Sequence, residues 1–321
     1  MQRTIDHSQL TTVAMDDRSI RVRPVGPDDR REALALLFRE LPNSVRERQC
    51  SATLRQFEAE PLAATGLLEA RRADDHCGVI WIQVQQGRVA NLWPPQIVAS
   101  IEGNGERIAR ALVDAACELA YRGDARMIQS LLTTDAGLAA SRLKAAGFEH
   151  AADLLYLVSS AAAFPAAAPD DGLDYDAYSP TDEARLERII ERTYQETRDC
   201  PRLNNLRPTN EVIEGYRAVG DFDPANWLIA KDHGTDVGCL IIASHTKERV
   251  WELVYMGIVP EARGRGCGLA LARQAEWMAR QGGAERLVLA VDAANEPALR
   301  GYAAAGFAAW DRRSVFLRLV A

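Results

Sequence analysis

Between residues 226 and 320 the apolar positions change period several times, and each change marks an element. Asn226–Lys231 and Val237–His245 are dense in aliphatic residues. So is Arg249–Val259, which adds aromatic residues and stops at Pro260; all three read as strands. Beyond them Leu269, Ala272, Ala275, Trp277 and Met278 recur at roughly helical spacing, which predicts a helix over 269–281 ended by Gly282-Gly283. Arg286–Asp292 reads as a buried strand, 296–305 as a helix and Ser314–Val320 as a terminal strand. Upstream, Leu173–Tyr178 is a short strand candidate followed by two helices, the first carrying Leu186, Ile189, Ile190 and Tyr194. This order of strands and helices predicts an α/β chain built on a mixed sheet.

The same succession has already run once. Arg18–Pro24 begins like Leu173–Tyr178 and leads into a helix holding Ala33, Leu36, Leu37 and Leu41. At a constant offset (307 − 148 = 159), Phe307 falls on Phe148, Gly306 on Gly147, Ala305 on Ala146 and Gly282 on Gly123. The helix before Gly282 falls on Ile108–Ala120. Internal duplication of this kind implies tandem domains. Ala161–Asp171, rich in Ala and Pro and without a period, reads as the connection between them. The expected organisation is an extension 1–17, a first domain 18–160, a linker 161–172 and a second domain 173–321.

Composition narrows the setting. Hydrophobic residues make up 47% of the chain, enough for packed cores, and no apolar run approaches the length of a membrane span. Met1–Ile20 lacks the apolar core of a signal peptide. The six cysteines show no C-x-x-C pairing, so no metal site and no disulfide framework is expected, and a reducing, cytoplasmic location is the plain reading. The net charge of −7 carries no basic excess in either half, which argues against nucleic acid and mildly favours an amine partner. No membrane partner is expected, and a homo-oligomer is left open.

The chemistry gathers at Arg263-Gly264-Arg265-Gly266-Cys267-Gly268, between the strand 249–259 and the helix 269–281. A glycine-rich turn opening a helix presents backbone N–H groups and the positive end of a helix dipole, the making of a phosphate cradle. The dinucleotide fingerprint does not fit, because the spacing is G-x-G-x-G rather than G-x-G-x-x-G. The nucleotide P-loop does not fit either, since no Lys-Ser/Thr follows Gly268. What fits is R/Q-x-x-G-x-G/A, with Arg263, Gly266 and Gly268. Downstream, Asn295, Ala298, Tyr302, Gly306 and Phe307 stand in an N-x-x-A-x-x-x-Y-x-x-x-G-F segment. In both motifs the chain resembles the GCN5-related N-acetyltransferases, a family that binds acetyl-coenzyme A, and it is identified as a tandem-domain member.

That resemblance implies a set of roles. The amides of Gly264, Arg265, Gly266, Cys267, Gly268 and Leu269 would hold the pyrophosphate, with Arg263 and Arg265 neutralising charge. Cys267 reads as filler facing the sheet rather than as a nucleophile. Met256, Gly257, Ile258 and Val259 would pair with the pantetheine arm, and an amide near Met256 or Gly257 would polarise the thioester carbonyl. Asn295 would reach the pantetheine amides or simply cap its helix. Tyr302 would protonate the departing thiolate. Glu252 is the expected base, with His245 or a chain of waters as rivals; it shares a face with Val254 and Met256 unless a bulge intervenes. Glu196, Arg198 and Asp199, between the two helices, are candidate substrate contacts.

The first half keeps the layout and loses the chemistry: at the same offset Gly266 becomes Arg107, Gly268 becomes Ala109, Tyr302 becomes Leu143 and Asn295 becomes Ala136. The expectation is therefore two tandem acyl-CoA N-acyltransferase domains, the first degenerate and the second catalytic, transferring acetyl from acetyl-CoA to a primary amine of a small molecule by direct attack. The alternatives are acetylation of a peptide or protein amine, and an acyl-CoA sensor or scaffold without turnover. The tandem layout is also similar to that of mycothiol synthases, which acetylate a cysteinyl pseudo-disaccharide, although no residue pattern singles out that acceptor.

Overall fold

The computed structural model describes residues 20–73, 75–98, 104–204 and 206–319; the expected extension 1–17 and Val320 lie outside the described residues. Two compact units emerge, 20–150 with 316–319, and 151–315.

In the first unit β1 (Ile20–Pro24) is followed by α1 (Arg30–Leu37), α2 (Asn43–Ala59), β2 (Leu67–Arg72), β3 (Asp75–Gln85) and β4 (Val89–Ile97). Then come α3 (Gly105–Arg122), β5 (Met127–Thr133) and α4 (Gly137–Ala145). The strands lie in the order β1-β2-β3-β4-β5, antiparallel apart from the parallel β4–β5 pair. Leu34, Leu37 and Phe57 pack on one face of the sheet, and Ile108, Leu112 and Leu143 on the other.

The second unit repeats this plan with β7 (Asp174–Ala177), α5 (Glu183–Tyr194), α6 (Thr209–Arg217), β8 (Trp227–Asp232), β9 (Thr235–His245) and β10 (Val250–Ile258). It continues through α7 (Cys267–Gln281), β11 (Arg286–Asp292), α8 (Glu296–Ala305) and β12 (Ala308–Leu319). The strand order β11-β10-β9-β8-β7 is antiparallel except for the parallel β10–β11 pair. Trp251, Leu253, Leu287 and Leu289 meet α7 and α8 on one face. Ile189, Ile190, Ile213, Cys239 and Ile241 form the core under α5 and α6 on the other.

One strand departs from the expected boundary at 160. β6 (Glu149–Ser160) follows the last helix of the first repeat, yet it pairs antiparallel with β11 from Leu154↔Asp292 to Ser160↔Arg286. The division by contacts accordingly falls at 150/151. Within the 161–172 stretch, Phe164 is buried in the core beneath α7. β12 starts six residues before the expected terminal strand and its last residues, from Phe316, count with the first unit. Among the described residues no helix is long and apolar enough to cross a membrane.

Candidate active site

The site begins where two parallel strands part. β10 and β11 pair only at Val250↔Arg286, Trp251↔Leu287 and Glu252↔Val288. A bulge between Leu253 and Tyr255 turns β10 aside. Its effect on side chains is visible in the packing: Leu253 joins the α7 face, Tyr255 the α5 face, and Met256 and Ile258 return to the α7 face. Glu252 therefore does not share a face with Met256. Beyond Glu252 the β11-facing edge of β10 carries no strand, and an extended ligand arm has room to add there.

Gly257 has a structural reason that the motif did not reveal. A Cβ on it would lie 2.6 Å from Thr193 Oγ1, 2.7 Å from Thr193 Cβ and 2.8 Å from the Tyr255 hydroxyl. Thr193 and Tyr255 share a hydrogen bond of 2.5 Å, and the Tyr255 ring stacks on Tyr216 with centroids 5.5 Å apart. The absence of a side chain at 257 thus lets α5 close on β10.

Val259 is buried, and after Pro260–Ala262 the loop enters α7. Gly264 and Gly266 take φ of 75° and 89°, the left-handed region open to glycine, and Gly266 is the N-cap residue of α7. No side chain caps the helix, and no atom lies within 4 Å of where a Cβ would stand at Gly264, Gly266 or Gly268. The uncapped helix start, with its dipole and with nothing beyond the loop's own neighbours crowding these three glycines, suits a phosphate group. The two loop arginines differ from a simple phosphate clamp. Arg263 donates to the carbonyls of Ile258 (3.1 Å), Glu196 (3.2 Å) and Thr193 (2.9 Å), bracing the loop against the end of α5. Arg265 pairs with Asp232 at 2.7 Å and is more than half exposed. Cys267 is buried, and burial pushes its thiol up, against the opposing pull of Arg265, so it is no ready nucleophile. Leu269 is partly buried against the α7 core.

A cavity of about 740 Å³ opens on the loop itself, lined by Gly266, Cys267 and Leu269 together with Asp171, Asp232 and Arg273 among others. Its charges are mixed and it lies on the β8–β9 side, away from the gap between β10 and β11. It is not where the strand geometry places the chemistry.

Tyr302 sits on α8 at 6% exposure, its ring edge-on to Phe307 with centroids 5.5 Å apart. Burial first, and then the charge of Asp199, hold its phenol well above the usual range, so the proton stays on oxygen throughout the physiological pH range. Asn295 caps α8, accepting from the Ala298 amide at 3.4 Å, and its side chain also donates to Asp199. Glu252 and His245, the rival bases, are joined: His245 Nε2 and Glu252 Oε2 are 3.1 Å apart, each side chain about a third exposed.

Pattern reading did not find one further feature. Asp199 accepts from the Asp292 amide at 3.0 Å, and Asp292 accepts from the Cys200 amide at 3.0 Å. This reciprocal latch ties the α5–α6 connection to the end of β11, beside Asn295. Two acidic residues nearly a hundred positions apart carry no signal in a single sequence. Glu196 and Cys200 hold positive φ within the same connection, and Arg198 and Asp199 are exposed there.

In the first unit the corresponding positions are closed. Trp93, the offset mate of Glu252, stacks on Trp81 with centroids 4.0 Å apart, and Leu143, the mate of Tyr302, is fully buried.

Comparison with known proteins agrees with this geometry. Residues 190–307 match the acetyltransferase (GNAT) family. A mycothiol acetyltransferase of Paenarthrobacter aurescens (strain TC1) is 28% identical over 160 residues, 48% of this chain and 48% of its own length. The chain thus spans a third to a half of the length of the relatives it matches. Among solved structures, a GCN5-related N-acetyltransferase from Sphaerobacter thermophilus superposes with a TM-score of 0.61 at 18% identity, covering 94% of this chain and 95% of that one. A tandem GNAT protein from the clavulanic acid biosynthesis pathway, without AcCoA, gives 0.51 at 16% identity, covering 94% and 98%. At such identities the structures speak for the fold alone.

Proposed function

We propose, from the match of residues 190–307 to the acetyltransferase (GNAT) family, that the second unit is an acetyl-CoA-dependent N-acetyltransferase acting on the primary amine of a small molecule. The observation that carries this reading is the uncapped start of α7, with Gly266 at φ 89°, beside strands that part after Glu252↔Val288. Acetyl-CoA, as substrate, supplies the acetyl group as a thioester. The amides from Gly264 to Leu269 hold its pyrophosphate, each such bond contributing about 1.5–3 kcal/mol. Arg263 keeps those amides in place through the carbonyls it binds, and Asn295 orders the start of α8.

The transfer forms an N–C bond and breaks a C–S bond. Glu252, hydrogen-bonded to His245, takes the proton that leaves the attacking amine. A backbone amide at Met256 or Gly257 donates to the carbonyl oxygen as negative charge grows on it. Tyr302 donates its proton to the departing thiolate, a task suited to a phenol kept neutral by burial. The first unit, with Trp93 and Leu143 at the corresponding places, takes no part in the chemistry.

The relatives named mycothiol acetyltransferase make the cysteinyl pseudo-disaccharide the first acceptor to assay. The test is release of free thiol from acetyl-CoA across a panel of amines that includes it. Tyr302→Phe should bind acetyl-CoA as before and turn over about 10²-fold or more slowly. Wild-type protein that binds acetyl-CoA and releases no thiol with any amine would leave a binding protein, not an enzyme.

A further inference from the structure

The face of the second sheet that holds Glu252 continues past it over Val288 and the exposed Ala290, which do not belong to the core under α5 and α6. Leu287, Leu289 and Val291 of β11 face the α7 core, so Val288 and Ala290 look the other way. In register beside them on β6 stand Val158 and Tyr156, while Leu155 and Leu157 face the core. Glu252 is in register with Val288. The side chains on this face are therefore small beside Glu252 and large farther out: Tyr156 meets Trp310 of β12 edge to face, centroids 5.9 Å apart. Trp310 is 61% exposed, an unusual position for the largest apolar side chain. Beyond it Arg313 and Asp311 form an ion pair at 2.7 Å with both partners partly exposed. Burial first, with the Glu252 charge among the weaker influences, pushes the Tyr156 phenol up, so Tyr156 lies within electrostatic reach of the expected base.

We propose that Trp310 and Tyr156 are the specificity-determining shelf for the acceptor: they seat a hydroxyl-bearing ring while the reacting amine lies beside Glu252. The inference rests on the acetyltransferase reading and adds to it which residues choose the acceptor's body. An aromatic face offers apolar contact to the C–H face of a saturated ring, and the Asp311–Arg313 pair, whose charges act on Tyr156, offers acceptors and donors to hydroxyls at the ring's edge. Glu252 and Tyr156 stand two strands and two residues of register apart, about 12 Å at ordinary strand spacing and rise. That separation calls for a short spacer between amine and ring. The shelf is assembled from β6, the strand that follows the first repeat, and from β12 at the end of the second.

The experiment titrates the full chain, by calorimetry, with two probes that share one amine: glycine amide-linked to glucosamine, and glycine amide-linked to ethanolamine, which lacks the ring. Wild-type protein should bind the ring probe roughly five- to tenfold more tightly. Trp310→Ala should abolish that preference, Trp310→Phe should keep most of it, and neither should change acetyl-CoA affinity. Because Trp310 is exposed, both variants should keep the wild-type melting temperature. Equal affinity for the two probes in wild-type protein, or a ring preference that survives Trp310→Ala, would overturn the proposal. Failure of the acetyltransferase reading looks different: no thiol release with either probe, with a ring preference that still depends on Trp310.

Discussion

Glu276 offers the sharpest quantitative test of the second unit's interior. It lies on α7, 1% exposed, and its hydrogen bond comes from Ser159 Oγ at 2.5 Å. Among the described residues no ion pair holds it, and burial pushes its carboxyl up to about 7, with the Ser159 hydroxyl and the charge of Arg273 pulling the other way. In an unfolded chain a glutamate titrates near ~4.3. Between those two values the unfolded chain has lost its proton and the folded one has kept it. Stability from this group is therefore fully present below ~4.3, falls as pH rises, and is lost once pH passes about 7. The interval corresponds to an upper bound of about 4 kcal/mol at 1.36 kcal/mol per pH unit.

Glu276→Gln keeps an oxygen to accept from Ser159 and removes the titration. At pH 8 the variant should be about 2–3 kcal/mol more stable than wild type, and the advantage should vanish toward pH 4.5. For a unit of this size that is on the order of 5–10 °C in melting temperature at pH 8. The assay is thermal and urea unfolding of both proteins at half-unit steps from pH 4.5 to 8. Only the difference between the two curves matters, because it cancels every other titrating group. A difference that stays constant across that range would show that Glu276 ionises inside the fold without penalty, and the reasoning would fail.

Gly257→Ala should lower stability by about 1–3 kcal/mol, since its Cβ would press within 2.8 Å of Thr193 and Tyr255; urea unfolding measures it. Gly266→Ala meets no neighbouring atom but must hold φ near 89°, so it should cost about 1–2 kcal/mol in loop geometry and weaken acetyl-CoA binding about tenfold by calorimetry. Glu252→Gln should reduce turnover in thiol-release assays about 10²-fold, leaving acetyl-CoA affinity unchanged; turnover like wild type would pass the base role to His245 or water. A fragment starting at 161 loses β6 and exposes the edge of β11, so it should aggregate where a fragment starting at 149 stays soluble on gel filtration.

The elements that a local pattern specifies were legible from the sequence. The strands at 227–232, 235–245, 250–258 and 286–292 and the helices at 267–281 and 296–305 lie within two residues of expectation, because each has its own period and several have a stop of their own, at Pro260, Gly282 and Gly306 among them. The loop was legible for the same reason: positive φ at 264 and 266 needs glycine, and glycine was there. What the sequence could not show depends on partners far along the chain. Nothing in Leu253-Val-Tyr255 announces a bulge, and nothing in Glu149–Ser160 announces that its hydrogen bonds go to β11. Arg263 matched a phosphate-binding motif by type, but its direction is set by three carbonyls, two of them at the end of α5. Trp310 looked like part of the connection to a later strand; only its cross-strand neighbour Tyr156 gives it a place in the site.

The duplication shows which of these constraints is physical and which is chemical. Gly147 and Gly306 both end a helix with positive φ, 85° and 101°, and Phe148 and Phe307 both follow it into a core. A backbone that must turn left-handed has almost one choice of residue, so that corner survives divergence. The contact between the helix after the loop and the end of a strand also recurs at the same offset (276 − 117 = 159; 318 − 159 = 159). In the second unit it is Ser159 donating to Glu276, and in the first it is Arg318 donating to the thiol of Cys117 at 3.4 Å. Geometry there is held while polarity is free to change, since any satisfied pair of suitable volume closes the gap. At 252 and 93 and at 302 and 143 the backbone imposes no such residue, and at the third pair only Gly266, at φ 89°, needs glycine, whereas Arg107 lies within α3. Only the second unit keeps a carboxylate, a bare turn and a phenol at these three places, which is the arrangement expected if selection for acyl transfer acts on that unit alone.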